Sequence, residues 1–123
     1  LAARHATEEE IQVMRDMVSE DRVLLDDPSA LARANRRFHK QIHLSSHNRF
    51  LVQQLDLVHR SMALLALTSL AAQGRDAAAL AEHDAIVQAI EARDEARASA
   101  LTKISLFCPT LAAWERNAAR ATR

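Results

Sequence analysis

Apolar residues recur at intervals of three or four along this chain, the spacing that places them on one face of an α-helix. The pattern predicts five helices, each with an apolar stripe facing a common core. The stripes consist of Ile11, Met14, Met17, Val18 and Leu24 or Leu25; Leu31, Ala34, Phe38 and Ile42; Leu51, Leu55, Val58, Met62 and Leu65; Leu80, His83, Ile86 and Ile90; and Leu101, Ile104 and Leu106.

Polar capping residues and helix breakers give the predicted ends of these helices. The stretch "TEEE" from Thr7 is a capping box, in which threonine and glutamate satisfy each other's free backbone N–H groups. In "DDPS", Asp27 is the expected cap of the second helix, with proline in its first turn. The third helix is expected from about Asn48 to Leu70, after the break "SSHN", and "AAQGRD" is the one clear loop. Asp94 is the expected cap of the last helix, which Pro109 kinks or ends.

Composition narrows the fold class to all-α. The 123 residues include one glycine, two prolines and no tyrosine, so helix breakers are rare. β-Branched residues are also sparse, which argues against a sheet. We therefore expect a single domain over residues 1–123, an antiparallel helical bundle.

Charge and cysteine content exclude several function classes. The 16 basic and 16 acidic residues balance, whereas a DNA-binding surface normally shows a basic excess. Cys108 is alone, so no internal disulfide can form. The longest apolar run, 62–72, is too short to span a bilayer. We expect a soluble cytoplasmic domain that does not bind DNA by itself.

The candidate chemistry is a set of polar residues on the inward strips of two helices. Asn35, His39 and His43 follow one another at helical spacing, next to the stripe of Phe38, and His83 lies within the fourth stripe. Bundles build metal sites from such facing side chains. Buried histidines are, however, more often simply hydrogen-bonded. Spacing alone leaves both readings open.

Two longer motifs resemble a known family. "NRRFHKQIHLSSHN" at 35–48 and "EHDAIVQAIEARDEARA" at 82–98 resemble the two signature blocks of the FCD domain, and "LAARHATEEEI" at 1–11 resembles a junction between its first helices. The FCD domain is the C-terminal, effector-sensing domain of FadR-type regulators in the GntR family of transcription regulators. The resemblance covers the chain from Leu1 to about Leu106.

The resemblance implies a helical bundle around a central ligand cavity. In many members this cavity holds a divalent metal, often zinc or nickel, on an acidic residue, the histidine four residues later and two more histidines. The corresponding positions here are Asn35, His39, His83 and Ser105, so an amide and a hydroxyl replace two of the usual ligands. His43 could complete a metal shell. Alternatively, the cavity is metal-free and these side chains hydrogen-bond the effector directly.

The expected function is therefore ligand sensing by a dimerising domain, without enzymatic activity. The effector is expected to be a small organic molecule such as a carboxylate, bound by these residues with Arg60 as a further candidate. DNA would be reached only through a winged-helix domain that is expected to precede this one and is absent from the chain. The alternatives are a metal-dependent, hydrolase-like bundle and a purely structural dimerisation module. No role is assigned to the tail from Phe107.

Overall fold

The computed structural model describes residues 1–65 and 75–105, and these two ranges contain helices but no strand. The order is α1 (Ala2–His5), α2 (Glu8–Asp21), a 3-10 turn (Arg22–Leu24), α3 (Pro28–Leu44), α4 (Arg49–Leu65), α5 (Arg75–Glu91) and α6 (95–105). The predicted all-α fold is confirmed. No helix of the described ranges is long and apolar enough to cross a membrane.

The predicted caps are present. Thr7 Oγ1 accepts the backbone N–H of Glu10 at 3.2 Å, and the carboxylate of Glu10 accepts the N–H of Thr7 at 2.9 Å. The carboxylates of Asp27 and Asp94 each accept the N–H three residues later, at 2.9 and 3.0 Å. Such a cap is worth about 1 kcal/mol, so these residues fix where α2, α3 and α6 begin.

The core lies where α2, α3 and α5 pack together, with α1 laid across it. The predicted stripes of these three helices face inward, and Phe38 is fully buried near their centre. Their buried members are Ile11, Met14, Val18, Leu31, Ala34, Phe38, Ile42, Leu80, His83, Ile86 and Ile90.

Two stripe positions were predicted wrongly. Val58 is 50% exposed, and among the described helices α4 packs mainly on α3. Ile104 is 54% exposed, because Ala98 and Ser105 set the inward face of α6 and Ile104 lies about a quarter turn away. Of the alternatives Leu24 and Leu25, Leu24 is half-buried and Leu25 is 38% exposed.

The predicted loop "AAQGRD" is also too long, since α5 already begins at Arg75. The remainder of that loop lies outside the described residues. So do the predictions for Leu106, Cys108 and Pro109, and for the tail.

One buried charge escaped prediction. Asp21, at the end of α2, is 1% exposed and accepts a hydrogen bond from Arg37 of α3 at 3.0 Å. Burial raises the pKa of this carboxyl, and the neighbouring guanidinium opposes that change. Arg37, whose side chain is half-exposed, thus joins two core helices through a buried carboxylate.

Candidate functional site

Four polar side chains from three helices meet inside the bundle, and we call them the histidine cluster: Asn35, His39, His83 and Ser105. Asn35 and His39 lie one turn apart on α3, His83 lies on α5, and Ser105 lies at the described end of α6. Both histidines are 2% exposed and Ser105 is 7% exposed, while Asn35 is half-buried. The structure therefore brings together the four residues that the resemblance predicts to line one site.

Two hydrogen bonds divide the cluster into pairs. Nε2 of His83 lies 3.0 Å from Oδ1 of Asn35, and because an amide oxygen only accepts, the imidazole N–H is the donor. Oγ of Ser105 lies 3.3 Å from Nε2 of His39. Each imidazole is thus held through Nε2 by a neutral side chain of a different helix.

Aromatic packing fixes the ring orientations. Phe38 stacks on His83 with ring centroids 4.2 Å apart and planes inclined by 24°. The rings of His39 and His83 meet edge to face, with centroids 5.2 Å apart. Phe38 was predicted only as a core residue, yet its ring forms a wall of the cluster. Phe38 directly precedes His39 in the sequence, and the apolar stripe of Phe38 therefore lies next to the strip that holds His39.

Burial controls the electrostatics of His83. Removal from water lowers the pKa of this imidazole from 6.5 to about 4, so the ring is neutral at physiological pH. A neutral imidazole carries one proton, and the bond to Asn35 places it on Nε2. Nδ1 of His83 is then an acceptor. It is buried and has no hydrogen-bond partner in the described part of the chain.

The other two candidate residues, His43 and Arg60, are not members of the histidine cluster. His43 is buried one turn further along α3, where its backbone carbonyl accepts the hydroxyl of Ser46 at 2.6 Å. Arg60 is exposed on α4, so the structure does not bring it into the buried cluster. Whether any of these residues binds an effector stays a prediction.

The donor set fits a zinc site poorly. Even an open zinc site takes about three protein ligands, drawn from cysteine, histidine and carboxylates. The histidine cluster supplies two imidazoles, an amide and a hydroxyl. Within residues 1–65 and 75–105, no three such ligand residues are grouped where they could hold a metal ion.

Two grooves of the described chain lie away from the histidine cluster. One, of about 230 Å³, runs between α1, α4 and α6, and its lining includes Ala3, Leu51 and Thr102. The other, of about 540 Å³, lies by His47 and Phe50 at the start of α4. Neither groove is lined by a residue of the histidine cluster.

A helical bundle with a buried, neutral polar cluster has the architecture of a ligand-binding domain, since bundles place their ligand sites between facing helices. The sequence model of the FCD domain matches residues 1–106, and the chain belongs to this family. The FCD domain is the C-terminal effector-binding domain of GntR-family regulators, and the family is regulatory rather than catalytic. No curated protein is significantly similar to the chain.

Proposed function

We propose that this domain senses a small organic effector at the histidine cluster and responds by changing how its helices pack. The observation that carries the proposal is the buried, unpartnered Nδ1 of His83. Leaving a buried acceptor unsatisfied costs about 1–3 kcal/mol, and a ligand that donates a hydrogen bond to it recovers that energy. The effector therefore has a donor group, such as a hydroxyl.

The neighbouring groups define the rest of the proposed effector. Asn35 uses its oxygen toward His83, which leaves the amide N–H groups to donate, and Ser105 has a hydroxyl. These are donors for a carboxylate or carbonyl oxygen. A small hydroxy acid offers both kinds of group within a few ångströms. Phe38 and the imidazole rings would enclose its carbon skeleton.

An effector that binds at this site has to separate α6 from α3. It replaces the hydrogen bond between Ser105 and His39, which is the side-chain hydrogen bond described between these two helices. The effector therefore has a higher affinity for an arrangement with α6 displaced than for the arrangement in which this bond is intact. Such a difference in affinity is the physical requirement for a ligand to shift a conformational equilibrium.

Contacts at the other end of α6 connect this helix to α1, so that a movement of α6 can be transmitted to the first helix. Arg4 of α1 binds Glu95 of α6 through two hydrogen bonds of 3.0 and 2.9 Å. Arg93, in the turn before α6, donates to the backbone carbonyl of Ala6 at 2.6 Å. A displacement of α6 would therefore be passed to α1, and through it to a DNA-binding domain attached on that side.

The proposal is tested by thermal unfolding with a panel of short-chain hydroxy acids and dicarboxylic acids. We expect at least one acid to raise the melting temperature of the wild type. The same acid should have little effect on Asn35→Leu, which keeps the branched shape of the side chain but removes the amide. Ser99→Ala, an exposed change on α6, is the matched control and should respond like the wild type.

An acid that stabilises Asn35→Leu as much as the wild type would place the site elsewhere. If no acid stabilises the wild type, the organic-acid effector is rejected, and a structural dimerisation module becomes the better account. A divalent metal on Asn35, His39 and His83 is a separate prediction with its own test, given below.

FCD domains of GntR regulators usually dimerise. We propose that two copies of this chain pair through α4, whose exposed stripe is formed by Phe50, Leu57 and Val58, between 50 and 66% exposed. Exposed apolar patches of this kind mark association surfaces. Leu57→Glu should convert a dimer into a monomer in sedimentation, whereas Gln88→Glu, exposed on α5 and away from this surface, should not. A dimer that survives Leu57→Glu rejects this surface.

A further inference from the structure

The two family departures in the histidine cluster are the two residues that hold its imidazoles. Asn35 stands where the family has an acidic ligand, and it accepts the Nε2–H of His83. Ser105 stands where the family has a third histidine, and it bonds to Nε2 of His39. The two departures therefore act together and are not two unrelated losses of metal ligands. Together they provide a neutral partner for each remaining histidine.

We infer that Asn35 and Ser105 turn this histidine cluster from a metal centre into a hydrogen-bonded site that works without a metal. The inference concerns the same site as the proposed function, but it stands on the donor set alone.

The geometry of the nitrogen atoms is the first argument. A zinc ion needs nitrogen lone pairs aimed at one point, at about 2.0–2.1 Å from each. At His83, Nε2 carries a proton and faces an amide oxygen instead. At His39, Nε2 faces a hydroxyl. To bind a metal through both Nε2 atoms, the protein would have to break both pairs.

The charge balance is the second argument. A buried divalent cation is costly unless anionic ligands offset its charge. Asn35 and Ser105, which stand at the positions of the acidic residue and the third histidine in the family pattern, are both neutral. The buried carboxylate of Asp21 is engaged by Arg37. The cluster thus holds neutral groups well and a bare cation poorly.

Zinc titration of the metal-stripped chain tests the inference. The variants are the double change Asn35→Asp with Ser105→His, and Ser99→His, which adds an imidazole to the exposed side of α6. Calorimetry measures affinity and stoichiometry. Cobalt, used in place of zinc, reports tetrahedral coordination through its visible absorption.

We expect the wild type and Ser99→His to bind zinc only weakly and without a tetrahedral cobalt spectrum. The double variant should bind one zinc per chain at least about 100-fold more tightly, because it gains two direct ligands. Changing even a residue that only hydrogen-bonds to a metal ligand alters metal affinity about 10–100-fold. A chelator should leave the melting temperature of the wild type unchanged.

Stoichiometric zinc binding by the wild type at micromolar affinity or better, abolished by His39→Ala, would overturn the inference. This arm uses the wild type, so it holds even if the double variant fails to fold. A double variant that folds but gains no affinity also counts against it. Because the probes are metal ions alone, the outcome does not depend on whether the organic-acid screen succeeds.

Discussion

The stability of this domain should fall steeply in mild acid because of His83. The folded protein keeps this imidazole neutral, with its pKa lowered from 6.5 to about 4 by burial. The unfolded chain takes up a proton on the same ring near pH 6.5. Between these two values the unfolded state binds more protons than the folded state, so stability is full above pH 6.5 and is lost as the pH falls toward 4.

The size of the loss follows from the difference between the two pKa values. It corresponds to about 3 kcal/mol of unfolding free energy, with about 1.4 kcal/mol for each tenfold change in proton affinity. For a small domain this is a large share of a total of about 5–15 kcal/mol. Below the folded pKa both states are protonated, and the loss should level off.

Urea unfolding of the wild type and His83→Gln, followed by circular dichroism, measures this contribution. His83→Gln cannot titrate, so the free energy of unfolding of the wild type minus that of the variant should fall by about 3 kcal/mol from neutral pH to about pH 4. Ser99→Ala, an exposed change that involves no titrating group, should give a nearly constant difference. A wild-type minus His83→Gln difference that stays within about 0.5 kcal/mol over this range would refute the reasoning.

Two further changes test the packing around the site. Phe38→Ala should cost about 3–5 kcal/mol in urea unfolding, because it empties the fully buried wall of the histidine cluster. Val23→Ala, at a position that is 84% exposed, should cost less than about 1 kcal/mol, and equal losses would contradict the assigned core. Arg37→Met should cost about 1–3 kcal/mol at neutral pH by leaving Asp21 without its partner. That loss should shrink in acid, because burial raises the pKa of Asp21 and the protonated carboxyl needs no cation; a loss independent of pH would show that the pair is not what Arg37 contributes.

Local sequence signals predicted the helices well. Thr7, Asp27 and Asp94 act through hydrogen bonds to residues three positions away, so their role can be read without knowing the fold. Periodicity also predicted the apolar stripes of α2, α3 and α5 correctly, because each of these helices is buried along one continuous face. Val58 and Ile104 could not be placed from periodicity, because their exposure depends on which neighbours cover α4 and α6.

The histidine cluster could be predicted only in part. Spacing put Asn35, His39 and His83 on inward strips, and the family resemblance added Ser105. What the sequence could not supply is the pairing across helices, because residues 48 and 66 positions apart meet only after folding. For the same reason the pairing of Arg37 with Asp21, which lies on another helix, could not be predicted.

The most direct test of effector sensing at the histidine cluster is nuclear magnetic resonance of the chain with isotope-labelled histidine. The ring nitrogens of His39 and His83 are recorded while short-chain hydroxy acids and dicarboxylic acids are titrated. We expect an acid that binds to shift the Nδ1 resonance of His83, through the new hydrogen bond, and to move the His39 ring with it. The exposed ring of His5 should stay unchanged. An acid that binds while both cluster rings remain unperturbed would contradict the account.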